Sequence, residues 1–306
     1  MVANRSLQAD SQRVCAKELL ALSNSHRREV MAQLCFDRID QKQDFLTDKF
    51  HDTDDWNETV YLMLLRSLDI KANRATYQRL AQILPYRYFA KVGYERRSIE
   101  ALLLGSAGLL SRLSLLLEGE KAVAELQAIY DYDAHKFGLE QMSVEDWQLV
   151  GHTGDNHPVV RLLQLASVIS QHEYLLNDIL DCRTRRDVEK LFCNSDIPRW
   201  AYRFLSEEGY KGAFSRTKAQ MLGINVVAQL QIFYSEYTMR ADLDSRGFEL
   251  LEQLPAESNM FIARWAKLGV KAENALESQA LLQLTKEYCS SLHCDKCPLR
   301  RFLDAE

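Results

Sequence analysis

The chain has 306 residues, of which 47% are hydrophobic and 26% charged, with a net charge of -5. That is the balance of a folded protein with ample core, and it excludes a global basic field that would draw the molecule onto nucleic acid or anionic lipid. With only 12 Gly and 5 Pro, a turn-rich β-sandwich is disfavoured, and no stretch approaches the roughly 18 apolar residues of a membrane span.

Helical signals start almost at once. Ser11 to Leu22 and Glu29 to Phe50 scatter apolar residues among many charges. Residues 1–50 are therefore read as solvated N-terminal helices, and residues 51–306 as the main helical domain. Asp55-Trp56-Asn57-Glu58 has the spacing of a capping box, in which the Asp accepts an orphan amide proton and the Glu reaches back. Behind it, Val60 to Leu65 is apolar nearly all round and belongs at the centre. Asn73 is placed to cap a helix with Tyr77, Leu80, Ala81 and Leu84 at helical spacing, halted by Pro85. Glu95 to Leu110 and Glu120 to Lys136 follow. Residues 138–158 are richest in turn formers, so a hinge is placed there, with Ser143-Val144-Glu145-Asp146 capping a short helix inside it. Pro158 opens Val159 to Gln171. Further helices cover Thr184 to Cys193, Ile197 to Ser206, Ser215 to Tyr237, Leu243 to Leu254 and Asn259 to Leu268. In the last long helix Leu276, Ala280, Leu281, Leu284 and Tyr288 share one arc, and a cysteine-rich tail, 288–306, closes the chain. No strand-like alternation of useful length is present. The expected fold is all-α, an irregular multi-helix array without a substantial sheet.

The most specific local signal lies in that tail, where Cys289, Cys294 and Cys297 fall within nine residues. A Cys-x-x-Cys turn points both sulfurs inward, so thiolates this close can converge on a soft metal, zinc or an iron–sulfur cluster. Both normally need four ligands. The fourth would be His293 or come from afar, for example Cys182 or Cys193; the plain alternative is a helix packed by small buried thiols. Arg161 sits on a nearly all-apolar helix beside the 151–156 loop. It reads either as an anion-binding arginine, with His152 and His157, or as a structural arginine paired with a carboxylate or loop carbonyls. Asn225 and Gln229, one turn apart, are expected to bond each other or a neighbouring helix end. Trp56, Trp147, Trp200 and Trp265 are spread out and expected to fill the core. Tyr86-Arg87-Tyr88, Glu95-Arg96-Arg97 and Arg183 to Arg186 mix basic with aromatic residues in a way that can bind single-stranded nucleic acid, or simply form solvated faces. No Walker loop, GxGxxG, HExxH or Gly-x-Ser-x-Gly appears.

Several segments together resemble the family DUF2851. They are Trp56-x-Glu58, Leu80-Ala81-x-x-Leu84-Pro85, Ile99 to Leu103 with Gly105, and Ala107 to Leu110. Asn156-x-Pro158-x-x-Arg161-Leu162, Ile224-Asn225 and Leu254-Pro255-x-Glu257-x-Asn259 follow. Ser278-Gln279-Ala280-Leu281-x-Gln283-Leu284, with Tyr288-Cys289 and the next two cysteines, completes the set. The resemblance implies a likeness to the helical C-terminal part of longer family members, whose N-terminal, β-containing, nuclease-like half has no counterpart here. The expected function is a non-catalytic protein-interaction module, binding itself or a separate protein. The alternative is a nucleic-acid-associated accessory protein with a cysteine-bound zinc or iron–sulfur centre. The polar start of the chain lacks the apolar run of a signal peptide, so the protein is expected in the cytoplasm, off the membrane, with its seven cysteines reduced.

Overall fold

Seventeen α-helices run through the residues described by the computed structural model, which are 2–69, 72–116, 120–150, 154–205 and 212–305. The first two are α1 (Val2–Ala21) and α2 (Asn24–Thr53). Asp55 begins α3 (Trp56–Leu68), accepting from the Asn57 amide at 2.8 Å. Next comes α4 (Arg74–Ile83), before Pro85. Asn73 precedes it but makes no side-chain cap. Instead its amide donates to the Gln148 carbonyl and its oxygen accepts from the Gln148 amide, at 3.1 and 2.8 Å. Glu58 also departs from the capping-box reading. Its carboxylate accepts from the amides of Tyr86 and Arg87 at 2.6 and 3.2 Å, supplying partners to the otherwise bare start of α5 (Arg87–Lys91).

The stretch Glu95 to Leu110 is divided into α6 (Arg96–Ser106) and α7 (Leu109–Leu116), which meet at 99°. Gly108 makes the break, with φ of +71° where an L side chain would be strained. A Cβ there would stand 2.1 Å from the Met142 carbonyl oxygen. After α8 (Lys121–Phe137), Ser143 and Asp146 form the expected capping box around a single 3₁₀ turn. Pro158 is the first residue of α9 (Pro158–Gln171), then come α10 (Leu175–Asp181) and α11 (Arg185–Cys193). Residues 199–204 are 3₁₀ rather than α. The stretch Ser215 to Tyr237 becomes α12 (Arg216–Leu222), a π turn at Gly223–Val227 and α13 (Ala228–Thr238). Asn225 and Gln229 donate to carbonyls of this same helix, Met221 at 3.0 Å and Ile224 at 3.3 Å, where a π turn leaves carbonyls out of the regular ladder. The chain continues as α14 (Ala241–Gln253), α15 (Met260–Lys267), α16 (Ala275–Gln283) and α17 (Pro298–Ala305). Among the described residues the one strand-like feature is an isolated bridge between Pro255 and Asn274. The fold is all-α.

The chain gathers into two compact units, residues 49–230 and residues 1–48 with 231–306. In the first, α6 packs on α8 and α9, and α3 packs on α4 and the Gly223–Val227 turn. Leu102, Leu103, Leu104, Val160, Leu162 and Leu163 are wholly buried there, each worth about 2 kcal/mol of transfer free energy. Arg96 braces this core, donating to Glu100 at 2.9 Å and Asp196 at 2.5 Å. In the second, α16 packs against α14 and α15, and the buried Trp265 indole donates to Thr285 Oγ1 at 2.7 Å. Asn259 and Asn274 cap α15 and α16 through their side chains. Trp147 and Trp265 are core residues as expected, whereas Trp56 and Trp200 are half-buried. No single helix among the described residues is long and apolar enough to cross a membrane.

Candidate functional site

The three local cysteines occupy a short, unusual stretch of the second unit. After α16 the helix widens into a π turn, Leu284–Cys289, the form of local irregularity often found at functional positions. It directs Cys289 into the interior. The Ser290 amide donates to Thr285 O at 2.8 Å and the His293 amide to Tyr288 O at 3.0 Å, with Leu292 at φ +56° turning the chain back. Cys294 and Cys297 then bracket a 3₁₀ turn closed by Cys297 N to Cys294 O at 3.2 Å. Cys297 is buried and Cys294 exposed.

Cys297 directly precedes Pro298, the first residue of α17. Its sulfur accepts the backbone N–H groups of Leu299 and Arg300. Sequence reasoning missed the next neighbour. Helix α1 packs on the 284–289 turn, and Cys15, which it carries, is hydrogen-bonded to the Cys289 thiol. That bond, then burial, hold the Cys289 thiol far above its ordinary pKa, with Cys15, Cys297 and Cys294 adding to the effect. Burial likewise raises Cys297, against the pull of its two amide donors. Of the fourth ligands considered, the local one, His293, is exposed. Cys182 and Cys193 belong to the 49–230 unit, where Cys182 donates to Asp178 O at 3.3 Å. Among the described residues no three His, Cys, Asp or Glu side chains already stand as a metal-binding set.

Arg161 is buried in the first turn of α9. Its guanidinium donates to Gln164 Oε1 at 2.9 Å and Asn156 Oδ1 at 2.8 Å, and lies over the Phe214 ring at 5.6 Å. Gln164 passes the connection on to the Gly212 and Ala213 carbonyls. His157 precedes α9 and accepts the Val159 amide at 3.3 Å through Nδ1, while its ring stacks on Phe204 at 4.7 Å. These contacts hold the turn and the helix start. His152 lies outside the described residues.

Two ammonium groups drawn out of the solvent, one buried and one half-buried, went unnoticed in the sequence. Lys218 donates to the Ser67 and Leu68 carbonyls at 2.6 and 2.8 Å, at the end of α3. Burial, then the charge of Arg161, push it down to about 7. In the other unit Arg38 and Lys42 both donate to Gln279 Oε1, at 2.7 and 3.3 Å, and Gln279 donates to Glu257 at 2.8 Å. Burial, then Arg38, push Lys42 down to about 7, while Glu257 opposes them. The cations are four residues apart on α2, one turn of a helix, but isolated Lys and Arg on a charge-rich helix give no warning of burial.

Two surface features complete the picture. A groove of about 260 Å³ is lined by Leu109, Leu113, Leu149, Val159 and Phe204, with Arg112 as its cation. Leu116 and Val150, which also line it, are 55% and 89% exposed. On α5 and α8, Lys91 lies over the rings of Tyr88 and Phe137 at 4.8 and 5.5 Å, and Lys136 over Phe137 at 5.1 Å.

No curated protein and no solved structure matches the chain. The model of the family described as "Protein of unknown function (DUF2851)" matches residues 2–260. That span takes in the N-terminal helices, so a likeness confined to the family's C-terminal part was too narrow an expectation, and Cys289 to Cys297 lie beyond it. The chain belongs to the DUF2851 family.

Proposed function

We propose that this DUF2851 member is a non-catalytic helical module that binds another protein through the apolar face around Leu116 and Val150. The carrying observation is the exposure of these two side chains at the rim of a groove walled by leucine, valine and phenylalanine. Large apolar groups left together at a surface are characteristic of interaction sites. In support, His157, which lines the groove, has local work as the cap of α9. A second copy of the chain and a separate protein both fit an apolar face, and one experiment addresses both. A photo-cross-linking residue at position 116, expressed in cells, is combined with light scattering on the purified chain. A dimer, or one adduct of defined mass abolished by Val150→Asp, supports the reading. A chain that is monomeric at its highest soluble concentration and forms no adduct refutes it.

The second reading, a nucleic-acid-associated protein, is favoured by the Lys91, Lys136, Tyr88 and Phe137 cluster, since cations interleaved with aromatic rings suit stacked bases and phosphates. Its test is fluorescence anisotropy with a labelled single-stranded oligonucleotide over a salt series. Binding that weakens with salt and is lost in Lys91→Glu/Lys136→Glu supports it, and none at low salt refutes it.

A further inference from the structure

We propose that Cys15, Cys289, Cys294 and Cys297 form one four-thiolate site for a soft metal centre, a zinc ion or an iron–sulfur cluster, with Cys15 of α1 as the ligand that the C-terminal segment lacks. The inference does not rest on the protein-binding reading above. Two features carry it.

The first is convergence. The 284–289 turn packs on both α1 and the 294–297 turn within one unit, the Cys15 and Cys289 thiols are hydrogen-bonded, and Cys294 and Cys297 lie within electrostatic reach of Cys289. The number and type of donors match a tetrahedral thiolate site, for which zinc and iron–sulfur clusters are the usual occupants. The second is the aim of the backbone. Leu299 and Arg300 point their N–H groups at the Cys297 sulfur, and a neutral thiol gains little from two such donors, whereas a thiolate gains much. Amide bonds to a ligating sulfur are how proteins orient and tune metal-bound cysteine.

As they stand, the thiols do not make a ready ligand set. Cys15 already meets Cys289 and Cys294 is exposed, so closing the site calls for the Cys294 side chain to turn toward the other three. Binding releases the thiol protons as the sulfur–metal bonds form, so acidification must weaken it.

The test is metal analysis and visible absorption of the full chain purified without oxygen or chelator, then of the chain reconstituted with zinc or with iron and sulfide. Expected is about one equivalent of zinc, or iron with visible absorption, falling to about a tenth or less in Cys15→Ser and in Cys297→Ser. Cys35→Ser, Cys182→Ser and Cys193→Ser should retain it. Because a ligand variant can misfold without its metal, cobalt titration of the unaltered chain gives a second readout. A thiolate-to-cobalt charge-transfer band of four-sulfur intensity supports the site. The proposal is overturned by a native and reconstituted chain with no stoichiometric metal, by full retention in Cys15→Ser, or by a cobalt spectrum showing two or fewer thiolates.

Discussion

The break between α6 and α7 makes Gly108 a sharp test of how the 49–230 unit is held. An alanine there would adopt φ of +71° and set its methyl 2.1 Å from the Met142 carbonyl oxygen, which is backbone and can yield only if the 138–147 segment moves. The left-handed conformation costs an L residue about 1 kcal/mol after the smaller entropy of the unfolded chain is allowed for. Moving the segment threatens the Met142 amide bond to Ser106 O and the buried Trp147 indole bond to Ala107 O, both 2.8 Å. Each is worth about 1 kcal/mol, and more where a buried partner is stranded. Gly108→Ala should therefore cost about 3–4 kcal/mol. Gly93 supplies the control, with φ of +65° and nothing within 4 Å of its added Cβ, so Gly93→Ala should cost only about 1 kcal/mol. Urea unfolding of the full-length variants measures both through the shift in midpoint at unchanged slope. Equal losses in the two variants would show that the approach to Met142 does not govern the break.

Three further outcomes are expected. Unfolded Lys218 keeps its proton up to 10.5 and folded Lys218 releases it above about 7. The unfolded chain thus binds more protons between those values, and stability must rise with pH there, by at most about 5 kcal/mol. The two carbonyls that favour the ammonium trim that figure, and parallel unfolding curves for wild type and Lys218→Met across pH 7 to 10 would remove the reasoning. Glu58→Ala withdraws the acceptor for two amides at the start of α5 and should cost about 1–2 kcal/mol; amide exchange at Tyr86 and Arg87 that is no faster than in wild type would contradict it. Trp265→Phe gives up the indole bond and leaves a cavity in the unit formed by residues 1–48 and 231–306, for about 2–3 kcal/mol, and a loss below about 0.5 kcal/mol in calorimetry would count against the packing described.

The helices were legible because their causes are local. Scarce Gly and Pro, apolar spacing and residues such as Pro158 and Thr184 act within a turn or two of themselves. What escaped depends on partners far along the chain. Glu58 has capping-box spacing, yet its carboxylate serves Tyr86 and Arg87; Asn73 has a cap's chemistry, yet its amide faces Gln148. The turn at Gly108 needs Met142, and the π turns need packing that no periodicity displays. The cysteine cluster was legible only in part, since Cys289, Cys294 and Cys297 share a segment while Cys15 reaches them through folding. Nor does any glycine or proline mark Leu230 and Gln231, where the chain passes from one unit to the other inside α13.

That passage has a consequence for synthesis. Residues 1–48 leave the ribosome well before the residues they fold with, which begin only at Gln231, after roughly 180 intervening positions. At about 5–20 residues per second the wait lasts about 10–40 s. Throughout it, Leu19, Val30, Leu34, Cys35 and Ile39, all buried in the finished protein, have no completed core to enter. The nascent helices of residues 1–48 are therefore a natural client for a holding chaperone, and a message cut short anywhere before the last helices leaves those residues stranded in water.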